Sequence, residues 1–506
     1  MWLTSLTLVA ALLTAFGFTT TCILVPLLRK AALKHGLVAA PGGRRNHARE
    51  TPLLGGLTIY PPFAVVFVSF FALLWAGQLS LHQPTMLKML SLFVATTWLL
   101  ILGTLDDRKD LGWRKKLFGQ ILGALVLVAG GHTIASATLP LVGPVEFGWY
   151  GIPLFIILAV VITNAINLID GMDGLASGIC FFAALTCSLI GLAKGDLFTA
   201  VIGFTLSGSL LGFLMFNFPP ASIFLGDGGS MMLGFLLGTL ATSSAAMYPG
   251  QRFGTTMMIL VPFLPFGIPL FEVALSVSRR WIRGQAIFLG DGDHLHHRLV
   301  SKMRNPRLTI AVFYLFSAAL CGLTLFLVFG VSSQALRLLA TAIAMLVFAG
   351  AIASIRLYRV DRLLTTIQNR RHFKFLGTFL PFMKNRLKRA RSMHELIELL
   401  QTGVRDLGFD YVEVAHEGSV FEKWTNPRPP HPENPRICSE EIFHEHVLSI
   451  RWARPVHNDE TYNEYLMLTW YRFLMAFRSE IENHRSELAR SGKNNVVELM
   501  RKLPAE

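Results

Sequence analysis

The chain has 506 residues, 52% hydrophobic and 15% charged, with a net charge of +14 and a mean hydropathy of +0.49. That balance excludes an ordinary water-soluble globule and marks a polytopic membrane protein. No basic face interleaved with aromatics accompanies the charge in the apolar region, so no nucleic-acid partner is expected.

In chain order, apolar segments of spanning length occur near 3–27, 53–75, 87–105, 118–138, 150–169, 175–193, 197–217, 230–248, 254–278, 308–330 and 334–356. They predict an all-α polytopic membrane domain, residues 1–357, of about eleven transmembrane helices. The first segment lacks a basic flank before it and is longer than a signal-peptide core, so it reads as an uncleaved helix with the N-terminus outside. Threaded from there, the inside loops hold Arg29, Lys30, Lys34, Arg44, Arg45, Arg49, Arg108, Lys109, Arg114, Lys115, Lys116, Arg279, Arg280, Arg283, Arg298, Lys302 and Arg304. The outside loops hold little beyond Lys194 and Arg252. An excess of Lys and Arg on one side puts that side in the cytoplasm. The five cysteines (Cys22, Cys180, Cys187, Cys321, Cys438) have no metal-ligand spacing, and four lie in apolar runs.

The polar clusters all fall on the same side in this threading. The first contains Arg44, Arg45, Asn46 and His47. Next comes Asp106-Asp107, directly after an apolar run; adjacent carboxylates repel unless a cation lies between them, which suits a metal site or a base beside one. A solvated interfacial pair would look the same. Lys116 and Gln120 follow and are placed to face phosphate. Asn164, Asn167, Asp170 and Asp173 then arrive within ten residues at the end of an apolar run. Ionisable groups at membrane depth are costly and suggest function, although a polar helix end alone would also account for them. A carboxylate–amide set suits Mg2+, a hard cation that prefers oxygen.

After Asn217, Gly226-Asp227-Gly228-Gly229-Ser230 forms a glycine-rich turn opening a helix, whose free N–H groups make an anion site. Asp227 fits there only with a cation between, and is the first choice as Mg2+ ligand; a plain interhelical turn is the alternative. His294, His296, His297 and Arg298 lack a thiolate partner and suit a diphosphate better than zinc. Together these groups supply oxygens for a divalent ion and donors for phosphates, the equipment of phosphoryl transfer. The placement at the mouth of a helix bundle calls for an amphiphilic acceptor.

These motifs closely resemble those of the polyprenyl-phosphate N-acetylhexosamine-1-phosphate transferases, a family that includes the MurNAc-pentapeptide translocases. The match runs over about 1–357: Arg44-Arg45-Asn46-His47 with Thr51-Pro52-Leu53-Leu54-Gly55-Gly56, Gly103-Thr104-Leu105-Asp106-Asp107, Asn164-x-x-Asn167-x-x-Asp170-x-x-Asp173, Asn217 with Phe224-Leu225-Gly226-Asp227, and His294-x-His296-His297. The resemblance implies attack by a polyprenyl phosphate (undecaprenyl phosphate) on the β-phosphate of a UDP-N-acetylhexosamine, releasing UMP, with Mg2+ required and Mn2+ as a substitute. It implies Asp227 and Asp107 as metal ligands, Asp106 or Asp107 as proton acceptor, and catalytic roles for Asp170 and Asp173. Asn167, Asn217, Arg44, His47, Lys116 and the His294–Arg298 cluster are left to bind substrate.

The His-x-His-His form is similar to the GlcNAc-1-phosphate branch, which implies the lipid-linked first sugar of a bacterial cell-surface polysaccharide, made at the inner membrane. This chain departs from the branch in having Asp291-Gly292 before the His motif and Glu272 after Pro269-Leu270-Phe271. A MurNAc-pentapeptide-type transferase and a transporter of a phosphorylated solute are the rival readings. Transporters place polar breaks near the midplane, often in repeated halves, and no repeat occurs here.

After 357 the composition changes. Residues 358–391 are basic and read as a juxtamembrane linker on anionic lipid, 392–490 as a small cytoplasmic α+β domain, and 491–506 as a flexible tail. Within the domain, Ser392 caps a helix over 393–407, Tyr411 to Ala415 and Val447 to Trp452 alternate as strands, and Tyr462 to Leu488 forms a long helix. That order resembles a degenerate GAF-type domain with a structural or homo-oligomerising role.

Overall fold

The computed structural model describes residues 2–34, 36, 38–39, 51–77, 83–109, 111–139, 143–246, 261–282, 299–300, 303–330, 370–390, 392–409 and, further on, 411–416, 419–425, 436–441, 448–454 and 460–490. The chain divides into two units, Met1–Ser276 with Phe288–Leu357, and Val277–Ile287 with Tyr358–Glu506.

The first unit is a helix bundle: α1 (Trp2–Lys34), α2 (Gly55–Trp75), α3 (Gln83–Lys109), α4 (Trp113–Ala129), α5 (Gly151–Ile169), α6 (Leu175–Lys194), α7 (Leu197–Asn217), α8 (Gly226–Ala246), α9 (Gly267–Ile282, ending beyond the unit's boundary) and α10 (Pro306–Leu325). A two-residue ladder pairs β1 (Val38–Ala39) with β2 (Thr51–Pro52), and a hairpin pairs β3 (Ser136–Leu139) with β4 (Gly143–Glu146).

Among the described residues, seven helices are long and apolar enough to cross a bilayer: Leu6–Lys34, Gly55–Trp75, Met86–Lys109, Gly148–Ile169, Leu175–Lys194, Leu197–Asn217 and Pro306–Leu325. The expected eleven are not reproduced there. The span expected over 118–138 ends early, because α4 stops at Ala129 and the Gly130-Gly131 pair leaves the helix, Gly131 at φ +91°. Of the segment expected over 254–278, residues 254–260 lie outside the described residues, as does the whole of 334–356.

α8 runs through the middle of the bundle, buried from Gly228 to Thr242 and packed on α2, α3, α5 and α6. Such a helix has no lipid face and is apolar all round. Small residues let helices close: a Cβ on Gly17 of α1 would lie 2.2 Å from the Thr205 carbonyl oxygen of α7, and one on Gly208 2.0 Å from that of Thr14.

The second unit holds α11 (Arg370–Arg389), α12 (Met393–Asp406), strands β5 (Tyr411–His416), β6 (Ser419–Thr425), β7 (Arg436–Glu441) and β8 (Leu448–Arg454), and α13 (Glu460–Arg490). The sheet is antiparallel, in the order β6-β5-β8-β7. Ser392 caps α12 by accepting from the Glu395 N–H at 3.2 Å, as its position predicts. Two strands go beyond the sequence reading, because β6 and β7 are rich in charge and weak in apolar alternation. The basic stretch 358–391 also differs from expectation: its described part is α11, whose Leu376, Phe379, Met383 and Leu387 share one core with Trp470, Phe473 and Phe477 of α13. Basic composition hid an apolar stripe of helical period.

Candidate active site

The site is built where α3, α4, α5 and α8 meet at one end of the bundle. Asp106 and Asp107 do not follow α3 in a loop, as expected; they lie in its last turn. Asp107 Oδ1 accepts from the Asp227 N–H at 3.0 Å, and its Oδ2 from the Gly228 N–H at 3.2 Å. The first turn of a helix presents unsatisfied N–H groups and the positive end of its dipole. An internal carboxylate therefore fills the anion site expected at the glycine-rich turn.

Contact this close requires glycines. A Cβ on Gly103 would sit 2.4 Å from the Asp227 carbonyl oxygen, and one on Gly56 2.5 Å from the Gly229 nitrogen. Gly226 adopts φ +75°. The Thr51–Gly56 segment pairs with this turn through Gly55 N to Phe224 O at 2.9 Å, Gly56 N to Leu225 O at 3.0 Å and Phe224 N to Pro52 O at 2.8 Å.

Lys116, in the first turn of α4, reaches into the cluster. Its Nζ donates to Asp227 Oδ2 at 2.5 Å and also bridges to Asp106 Oδ2. Asp106 Oδ1 accepts from the Leu111 N–H at 2.8 Å, fixing the turn between α3 and α4. Burial works to lower the Lys116 pKa, but the carboxylates of Asp227 and Asp106 outweigh it and hold the ammonium above its ordinary value. It is therefore charged at neutral pH.

α5 runs to Ile169, where its apolar segment was expected to end, because Asn164 to Ile169 contains no helix breaker and its amides find partners. Asn167 Nδ2 donates to Asp227 Oδ1 at 3.1 Å and to Ser230 Oγ at 2.9 Å. Asn164 and Gln120 face each other, with Asn164 Nδ2 donating to Gln120 Oε1 at 2.7 Å. Gln120 is 1% exposed, so it ties α4 to α5 and does not meet phosphate.

Asp170 and Asp173 occupy the turn after α5. Asp170 is the C-cap residue of α5. Asp173 Oδ2 accepts from the Ala221 N–H at 2.9 Å. Asn217 is 3% exposed. Its Oδ1 accepts from the Gly174 N–H at 3.1 Å and from Ser177 Oγ at 2.7 Å, while its Nδ2 donates to the Ile223 carbonyl at 2.8 Å. Rather than reaching substrate as expected, it pins the α5–α6 turn to the α7–α8 loop.

α10 adds residues that sequence reasoning missed. Tyr314 Oη donates to the Gly174 carbonyl at 2.7 Å, and Arg307 Nε donates to the Pro219 carbonyl at 3.1 Å. The signal in the sequence was a lone phenol inside an apolar run, which must find a partner.

The structure thus joins Asp106, Asp107, Lys116, Asn167 and Asp227 in one cluster, and Asp173 with Asn217 in a supporting one. Arg44, His47, His294, His296, His297 and Arg298 lie outside the described residues. Among the described residues no group of three or more His, Cys, Asp or Glu side chains is poised around an ion. Asp106 and Asp227 nevertheless share one cation, the Lys116 ammonium. Two carboxylates completed by substrate phosphates are a usual Mg2+ environment, so the donor chemistry fits that ion.

The model of the family described as "Glycosyl transferase family 4" matches residues 89–245, which contain both clusters. The chain is 34% identical over 297 residues to the "Probable undecaprenyl-phosphate N-acetylglucosaminyl 1-phosphate transferase" of Bacillus subtilis (strain 168), covering 58% of this chain and 78% of that protein. It is 34% identical over 312 residues to the "Decaprenyl-phosphate N-acetylglucosaminephosphotransferase" of Mycolicibacterium smegmatis, covering 57% and 74%. The "Phospho-N-acetylmuramoyl-pentapeptide-transferase" of Latilactobacillus sakei is 32% identical over 329 residues, covering 62% and 96%. With identity of this degree over most of each relative's length, the chain belongs to glycosyl transferase family 4.

Proposed function

We propose that the protein transfers GlcNAc-1-phosphate from UDP-GlcNAc to a polyprenyl phosphate, in a bacterium undecaprenyl phosphate. The observation that carries this reading is the pair of carboxylates, Asp106 and Asp227, held around one cation at a helix-bundle mouth. The names borne by the Bacillus and Mycolicibacterium relatives support the sugar and the lipid.

In the reaction, a phosphate oxygen of the acceptor attacks the β-phosphorus of the donor. The bond between that phosphorus and the bridging oxygen breaks, and UMP leaves with the electron pair. Asp227 and Asp106 would hold Mg2+, which supplies charge neutralisation of the diphosphate. This revises the expected Asp227–Asp107 ligand pair, since Asp106 rather than Asp107 shares the Lys116 cation with Asp227. A phosphate monoester has a second pKa of about 6, so the acceptor is mostly dianionic at neutral pH and needs little base assistance. The proton of the remaining monoanion goes to Asp107, which keeps a lone pair on each oxygen.

With Asp106 and Asp227 holding the ion, Lys116 would offer its ammonium to the diphosphate. Asn167 orients the Asp227 carboxylate, while Asp170 and Asp173 shape the nucleotide end. Arg44, His47 and the His294–Arg298 cluster keep the phosphate-binding roles their motifs imply. We place the site on the cytoplasmic face, on the strength of the Lys and Arg around it. The tail reads as a GAF-like module, supported by its antiparallel sheet and flanking helices.

The test uses proteoliposomes with Mg2+, undecaprenyl phosphate and a panel of labelled UDP-sugars. UDP-GlcNAc is expected to yield UMP and a lipid-linked sugar, and chelation with EDTA to stop both. Product from UDP-MurNAc-pentapeptide alone would move the protein to the other branch; no UMP from any donor would leave a transporter or an inactive scaffold.

A further inference from the structure

The second unit contains a cleft that the transfer reaction does not use. It lies between α11 and α13 and has a volume of about 400 Å³. Lys384 and Lys388 enter it from α11, one helical turn apart, and Arg472 faces them from α13. Leu387, Met475 and Ala476 give it an apolar lining.

Among the described residues, none of the three cations is paired with a carboxylate. The carboxylate in the lining, Glu480, accepts from Asn483 Nδ2 at 3.1 Å, one turn further along α13. Three exposed cations outnumber the one carboxylate in the lining, so the cleft carries a net positive charge that favours an anion. The size lies at the lower end of ligand pockets. α11 also exposes Phe375 and Phe382, with the Arg386 guanidinium 5.8 Å from the Phe382 ring centroid. Exposed aromatics beside basic groups characterise helices that meet a bilayer surface.

We infer that this cleft binds a phosphate group carried on an apolar chain. Lys384, Lys388 and Arg472 take the phosphate, and Leu387, Met475 and Ala476 take the first carbons of the chain. A phospholipid headgroup and a polyprenyl phosphate share this chemistry.

The experiment places the full chain in nanodiscs and follows acetylation of Lys384 and Lys388 by mass spectrometry. The discs contain phosphatidylcholine alone, with phosphatidylglycerol, or with undecaprenyl phosphate; a fourth sample adds inorganic phosphate to phosphatidylcholine discs. Both lysines are expected to react about fivefold more slowly with one of the anionic lipids than in phosphatidylcholine, and the lipid that protects names the source. Arg472→Gln, which keeps both reporter lysines, is expected to abolish that difference with the melting temperature unchanged. Equal rates in every disc, equal protection by inorganic phosphate, or protection that survives Arg472→Gln would each overturn the inference. Sugar transfer does not enter the readout, so the outcome is independent of the proposed activity.

Discussion

Lys116 occupies the space between two carboxylates, and this makes it the most informative side chain in the bundle. Its ammonium reaches both Asp106 and Asp227. In Lys116→Met the carboxylates face each other uncompensated, and a donor to phosphate is lost. We expect kcat to fall by about 10²-fold or more, the scale of losing one electrostatic stabiliser; unchanged steady-state UMP release would contradict this. Asp227→Asn is expected to remove nearly all activity, because the metal-bridging charge disappears while the side-chain shape remains. Tyr314 tests the supporting cluster. Its hydroxyl holds the Gly174 carbonyl, at the end of the turn that carries Asp170 and Asp173. Tyr314→Phe is expected to raise KM for UDP-GlcNAc about 3–10-fold, with kcat nearly unchanged, for the loss of one hydrogen bond worth ~1 kcal/mol. A fall confined to kcat would show that the phenol does not position the nucleotide end.

The packing of α3 against α8 decides whether the site exists at all. Asp107 joins the helices by accepting two N–H groups, and Gly103 lets the backbones touch. Asp107→Asn turns an amide NH2 toward one of those N–H donors. The expected cost is about 1–2 kcal/mol of cap stability, seen as a lower melting temperature in detergent along with the loss of turnover. Gly103→Ala and Gly119→Ala form a contrasting pair. The added methyl meets the Asp227 carbonyl oxygen at 2.4 Å in the first, and the Leu102 Cδ2 atom at 2.4 Å in the second. Backbone cannot yield as a leucine tip can, so Gly103→Ala should cost more, about 1–3 kcal/mol for overpacking. Equal melting temperatures for the two variants would refute that account.

Among the described residues, the basic groups that flank the α3–α4 turn lie at the same helix ends as the acidic cluster. Lys109, Arg114 and Lys115 border the Asp106–Lys116–Asp227 cluster in sequence, which is why we assign that end to the cytoplasm. Trp149, 69% exposed, sits at the start of α5, at the opposite end of that helix from Asn167. A cysteine replacing Trp149 should react with a membrane-impermeant maleimide in intact cells. One replacing Arg114 should react only after lysis, and the reverse pattern would invert the topology. The second unit brings its own core, centred on Trp470 and Phe473, and none of the residues assigned to transfer lies within it.

Composition, charge asymmetry and motif spacing determined a great deal unaided: a helical membrane protein, Asp227 and Asn167 as members of one polar cluster, and the capped start of α12. Hydrophobic periodicity is a local property, so it survives in a one-dimensional reading. Partnership is not local. Only the fold decided that Asp107 caps α8, that the Lys116 ammonium faces Asp227, that Asn217 and Gln120 are internal ties, and that α11 belongs to a core. Each of these depends on contacts between residues far apart in the chain, 111 positions for Lys116 and Asp227. A polar residue reads the same in sequence whether it meets a ligand or a neighbouring helix, and burial together with its hydrogen-bond partner distinguishes the two.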